Sequence, residues 1–147
     1  MSATSGDPEH LVAVRELFAR SRFHTGFFGM HLDRVQSGEV EVSLEATPDH
    51  LNLVGIVHGG VIATLADTAT GIAFRTVVPI DALFVTSQLT ITYLAPARSG
   101  DTISAIGRVV KRGGRSGYAE ADVLDVEGTL LARGAALFTV MPERTVQ

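Results

Sequence analysis

Residues 58–74 run HGGVIATLADTATGIAF, and this stretch decides the fold. At helical spacing Val61, Ile62, Leu65, Ala66, Ala69, Ile72 and Ala73 cover most of a helix circumference, and the remainder (Ala63, Thr64, Thr68, Thr70, Gly71) is small. Water has no claim on any face, so the spacing predicts a helix that the rest of the chain must surround. Its single charge is Asp67. Removing a carboxylate from water without a partner is costly, so a buried aspartate is either satisfied locally, here by Thr64 or Thr70, or kept because chemistry needs it. A perturbed carboxylate on a helix that opens with glycines favours the catalytic reading.

His58-Gly59-Gly60 opens that helix, where the first backbone N–H groups have no partner within the helix and face the positive end of its dipole. Glycine lets a ligand approach the backbone closely. An amide so placed can stabilise an oxyanion forming on an acyl carbonyl, and loss of one such donor typically costs on the order of 100- to 1000-fold in rate. The plainer alternative is a glycine-rich helix entry with His58 as a cap. Asp67 lies nine residues past His58, or ~13 Å along the axis at about 1.5 Å per residue, too far for the two ends to act together within one chain. A two-fold dimer with neighbouring antiparallel helices would set Gly59 of one copy opposite Asp67 of the other.

Outward from the helix the pattern changes period. Upstream, Pro8 suits the first turn of an amphipathic helix carrying Leu11, Val14, Leu17 and Phe18, behind a small, polar and frayed lead from Met1 to Asp7. Residues 23–30 are aromatic but broken by glycines, which predicts a loop that packs on the core or lines a pocket rather than a regular element. Alternating segments at 31–36 and 39–46, joined at Ser37-Gly38, form a hairpin with Val40, Val42 and Leu44 turned inward. Pro48, Asn52 and Gly55 punctuate the loop before the helix, and Val77-Val78-Pro79 ends it. Four β-type runs follow at 83–94, 102–110, 117–126 and 129–140. The order predicts an α+β fold in which an antiparallel sheet of about five to six strands wraps around one long central helix. Such a sheet has a free edge that self-association would cover.

A chain of 147 residues makes one domain, 46% hydrophobic, 19% charged and with a formal net charge of −4, which disfavours a nucleic-acid partner. The absence of cysteine excludes disulfides, thiolate metal ligands and a thiol nucleophile. The five histidines (His10, His24, His31, His50, His58) fall in no metal-ligand spacing, and no Gly-x-Ser-x-Gly elbow occurs, so neither a metal nor a serine-hydrolase mechanism is expected. No run has membrane-spanning length and the start lacks a secretory pattern, so no membrane partner and a cytoplasmic location are expected.

Several ordered motifs carry a family resemblance: Asn52-Leu-Val-Gly55-Ile-Val-His58-Gly59-Gly60 through Asp67, Ile91-Thr-Tyr93-Leu-Ala-Pro96, Arg112-Gly-Gly-Arg115, and Gly128-Thr-Leu-Leu-Ala-Arg-Gly134. Over roughly residues 30–140 the chain resembles the hotdog-fold acyl-CoA thioesterases of the phenylacetic-acid-degradation, PaaI-like group. The resemblance implies an N-terminal helix and loop over 1–30 and a hotdog core over 31–141. It implies hydrolysis of an acyl-CoA or arylacyl-CoA by a homodimer, assembled further as a homotetramer, with no cofactor beyond the CoA of the substrate. Asp67 would be general base or nucleophile, Asn52 would hold the attacking water, the Gly59 N–H would face the thioester oxygen, and His58 would shape that loop. A strand hydroxyl assists in the family, and the matching position is Thr86, with Ser87 one slip of register away.

The basic turn containing Lys111, Arg112, Gly113 and Arg115, near Arg108, is either a solvated hairpin tip or, with Arg98, a seat for the CoA phosphates. The acyl pocket would draw on Phe27, Phe28, Gly29, Met30, Leu51, Leu53 and Phe74, residues that equally suit a plain core. Two rival functions use the same fold. One is a hydratase or dehydratase, for which the expected Asp-x4-His pairing is missing; the other is a non-catalytic acyl-CoA-binding protein, in which a buried Asp67 has no use.

Overall fold

The structure is a computed structural model and describes residues 4–142. Helix α1 (Pro8–Ala19) begins where Asp7 accepts the His10 N–H at 2.8 Å and Pro8 pre-sets the first turn. Its inner face is His10, Val14 and Phe18. Strands β1 (His31–Gln36) and β2 (Glu39–Glu45) form the hairpin, α2 (Gly59–Arg75) is the long helix, and β3 (Phe84–Tyr93), β4 (Thr102–Arg112), β5 (Ser116–Leu124) and β6 (Leu130–Val140) follow. All six strands join one sheet in the order β1-β2-β4-β5-β6-β3, each neighbour antiparallel.

The sheet packs on α2 through β2, β4, β5 and β6. Val40, Val42, Leu44, Ile103, Ala105, Ala121, Val123, Leu131 and Ala132 meet Ile62, Leu65, Ala66, Ala69 and Ala73 in the main core. Two glycines let the helix lie this close: a Cβ at Gly107 would overlap the Ala69 carbonyl, and one at Gly117 would overlap the Phe74 ring. A second cluster gathers Phe74, Val78, Ala119, Ala136 and Phe138, with Phe84 edge-on to both larger rings. The buried His10 ties α1 to this centre, its Nε2–H donating to the Arg75 carbonyl at 3.0 Å, where α2 runs out of internal partners.

Two expectations need correction. Residues 23–30 are not a plain loop, because Arg22–Phe27 form a π-helical turn capped by the Ser21 hydroxyl, with Phe23 and Phe27 outward. In the lead, residues 1–3 lie outside the description, but Thr4 and Asp7 form a hydrogen-bonded turn rather than a frayed end. The sheet has two edge strands, β1 and β3; at β3 Val85 and Tyr93 are about half exposed and the flanking Leu83 and Leu94 slightly more. No described helix is long and apolar enough to cross a membrane.

Candidate active site

Asp67 is half-buried rather than sealed in the core, and it opens onto a cavity of about 680 Å³. Ala63 and Gly71, one turn before and after it, are small and leave the carboxylate accessible along the helix. The local explanation of Asp67 fails, since Thr64 Oγ1 donates to the Gly60 carbonyl and Thr70 Oγ1 to the carbonyls of Ala66 and Asp67. The carboxylate is instead held from outside the helix: Thr86 Oγ1 donates to Asp67 Oδ1 at 2.8 Å.

That contact depends on a β-bulge. Counted back from Tyr93, Ile91 and Leu89, strict alternation would turn Ser87 toward the helix. Thr86 pairs with Phe138 and Gln88 with Leu137, so Ser87 is an extra residue that reverses the alternation and brings Thr86 and Phe84 to the helix side. Ser87 Oγ spends itself on the Leu137 carbonyl at 3.0 Å.

The rest of the cavity comes from α1 and the π-helical turn (Leu17, Phe18, Ser21, Phe23, His24) and from Phe84, Leu89 and Phe138. Apart from Asp67, Thr86, Phe23 and His24, the sequence had not marked these residues for a pocket. The residues it had offered for an acyl pocket lie elsewhere. Met30 and Phe74 are core, Phe27 is mostly exposed, and Leu53 is fully exposed at a loop tip. His24 is positioned closely, with Nδ1 2.6 Å from Ser21 Oγ and its ring stacked on Phe18 and edge-on to Phe23. Burial lowers the His24 pKa below its ordinary 6.5, with the Asp67 charge opposing that shift.

Gly59 and Asn52 line a second cavity of about 370 Å³, with Tyr93, Leu94 and Pro96. His58 caps α2, its Nδ1 accepting the Gly60 N–H at 2.8 Å, while the His58 carbonyl takes the Val61 N–H at 2.9 Å. The Gly59 N–H has no hydrogen-bond partner among the described residues. The Asn52 carboxamide oxygen accepts from Val54 and Ile56 at 3.0 and 3.2 Å, folding the loop over Gly55, whose φ of +83° suits glycine. Only its NH2 end remains uncommitted among the described residues. Within one chain, then, Asp67 with Thr86 and Gly59 with Asn52 face different cavities.

Arg98 lies before β4 and Lys111, Arg112 and Arg115 at or just past its far end, not all on a turn, and all four are exposed; the two ends are ~33 Å apart at about 3.3 Å per residue. Arg108 is committed to Glu39 and Asp122 in an ion-pair ladder across the outer sheet face. Among the described residues no group of three or more His, Cys, Asp or Glu could hold a metal ion.

A six-stranded antiparallel sheet curled around one helix, with a carboxylate at mid-helix and an open amide at its start, defines a hotdog-fold protein. Escherichia coli PaaI, from the phenylacetic acid degradation operon, shares the fold with a TM-score of 0.83 at 22% identity, over 91% of this chain and 94% of that one. A Streptococcus mutans protein solved bound to acetyl CoA aligns with a TM-score of 0.72 at 28% identity, over 78% and 90% of the two chains. A candidate esterase of Halobacterium salinarum is 34% identical over 93% of this chain and 97% of its own length. Human acyl-coenzyme A thioesterase 13 is 31% identical over 66% of this chain and 69% of its own. Residues 54–132 match the Thioesterase superfamily, and the chain belongs to that family. It is an enzyme of the thioester-hydrolase class.

Proposed function

We propose that this enzyme hydrolyses an acyl-CoA thioester, aryl-substituted acyl groups among its substrates, to the free acid and CoA at a site shared across a two-fold dimer. The observation that carries the reading is the Thr86–Asp67 hydrogen bond on an open, largely apolar cavity. Asp67 of one copy acts as general base or nucleophile, and Thr86 orients it. In the base route it takes a proton from water as the water oxygen bonds to the thioester carbon; in the nucleophile route Asp67 attacks first and water cleaves the resulting anhydride. Either way negative charge develops on the thioester oxygen, and the unpartnered Gly59 N–H of the second copy receives it. The C–S bond then breaks and CoA leaves as a thiolate, a good leaving group that needs little assistance.

The Asn52 NH2 holds the attacking water, and His58 keeps the loop in shape by capping the helix. The exposed β3 edge supports the dimer, which two such dimers extend to a tetramer. Arg98, Lys111, Arg112, Gly113 and Arg115 bind the CoA phosphates. We assign them to different subunits, a reading that their separation along β4 supports. The bound acetyl CoA of the Streptococcus mutans relative supports this class of ligand, and a cytoplasmic location is compatible with it.

The test is CoA release from a panel of phenylacetyl-, hydroxyphenylacetyl- and short- to long-chain acyl-CoAs by wild type and Asp67→Asn. The expected result is turnover by wild type and a loss of at least ~1000-fold in kcat for Asp67→Asn, with unchanged melting temperature. Wild-type-like rates in the variant would remove Asp67 from the mechanism. Tight CoA-ester binding without turnover by the wild type would favour a binding protein.

A further inference from the structure

Two successive glycines are a poor way to open a helix, because without a Cβ neither restricts its own backbone and the first turn is left prone to fray. In α2 that turn carries the Gly59 N–H, so its rigidity bears on the oxyanion site. Three side chains hold it. His58 Nδ1 accepts the Gly60 N–H at 2.8 Å and Thr64 Oγ1 donates to the Gly60 carbonyl at 2.7 Å, both from the helix and its cap. The third comes from another element: Tyr93 Oη donates to the Gly59 carbonyl at 2.6 Å.

The peptide between Gly59 and Gly60 is thus fastened at both ends, its C=O by Tyr93 and its N–H by His58. The Tyr93 ring also leaves no space beside Gly59, where a Cβ would stand 3.0 Å from the ring Cζ and Oη. Tyr93 lies on β3, the same strand that sends Thr86 to Asp67. One strand therefore grips α2 at both stations of the proposed chemistry, through two hydroxyls.

We propose that Tyr93 is a positioning residue: with His58 it clamps the Gly59–Gly60 peptide, holds the first turn of α2 together and so aims the Gly59 N–H at the thioester oxygen. The inference rests on the reading of Gly59 as the oxyanion donor. The bond is made to the protein's own backbone, so its loss affects the transition state rather than ground-state binding.

The decisive variant is Tyr93→Phe, which keeps the ring and removes the hydroxyl. It should lower kcat about tenfold, less than outright loss of an oxyanion donor, with KM and the shape of the pH–rate profile unchanged and the melting temperature lowered by no more than about 8 °C. Combined with His58→Ala, it should cost less than the product of the two single losses, since both act on one peptide. The direct readout is the Gly59 amide signal of full-length 15N-labelled protein. The probe is a CoA ketone with CH2 in place of the thioester sulfur and the acyl group of the fastest substrate. The ketone should shift the wild-type amide proton downfield, and Tyr93→Phe should weaken that shift. Unchanged kcat with the shift intact overturns the role of Tyr93, as does a raised KM at constant kcat, which makes it an ordinary binding contact. If the ketone leaves the wild-type Gly59 amide unmoved while Tyr93→Phe alone perturbs the Gly59 and Gly60 signals, the oxyanion reading has failed and the clamp has not.

Discussion

Asp67 binds Thr86 through one carboxylate oxygen, and among the described residues the other has no hydrogen-bond partner, as the proposed general-base or nucleophile role needs. His24 shares its cavity and carries the site's pH signature. Burial favours neutral imidazole in the folded protein, so the unfolded chain binds the His24 proton more readily. The contribution is therefore fully present above about pH 6.5 and is lost as pH falls through that value toward the lower folded pKa. Urea midpoints of wild type and His24→Gln, compared between about pH 5 and 7.5, should show a steeper acid-side decline in the wild type. Parallel curves would mean that His24 titrates alike in both states.

The β3 bulge is the element-scale feature with the largest consequence. In a regular strand of the same sequence Thr86 would turn away from α2 and Ser87 would take its place. Thr86→Ala should then lower kcat about 10- to 100-fold and Thr86→Ser should recover most of it, because the donated hydrogen bond is what orients Asp67. Ser87→Ala should remain near wild-type activity, since Ser87 already bonds the Leu137 carbonyl. Steady-state rates of the three variants check the assignment, and a greater loss in Ser87→Ala than in Thr86→Ala would reverse it. The π-helical turn is the other element that matters, because it brings Phe23 and His24 to the cavity wall. Its one glycine, Gly26, and its aromatics carry no periodic signal that distinguishes it from a loop.

At the scale of the whole molecule, the separation of Asp67 from Gly59 makes assembly part of the proposed chemistry. Asp67→Asn and Gly59→Val should each be inactive alone. Mixed and allowed to exchange subunits, they should recover about one quarter of wild-type activity, because half the dimers are mixed and one of the two sites in each is intact. A mixture that stays inactive after exchange, confirmed by mass spectrometry of the mixed dimer, would place the whole site within one chain.

Much of this protein was legible in the sequence. An all-round apolar helix between alternating segments has few ways to bury itself, and its pattern fixed the element order and the wrapping sheet. The ordered motifs around Asp67 and Gly59 indicated the family. Only the tertiary structure decided three further matters. It placed Thr86 on Asp67, because one bulged residue inverts a strand's facing and leaves no mark in composition. It built the cavity from α1, the π-helical turn and β3, which meet through packing between segments far apart in the chain. It also brought Tyr93 onto Gly59, since a hydrogen bond between residues 34 positions apart depends on how an edge strand crosses a helix, which no local spacing encodes.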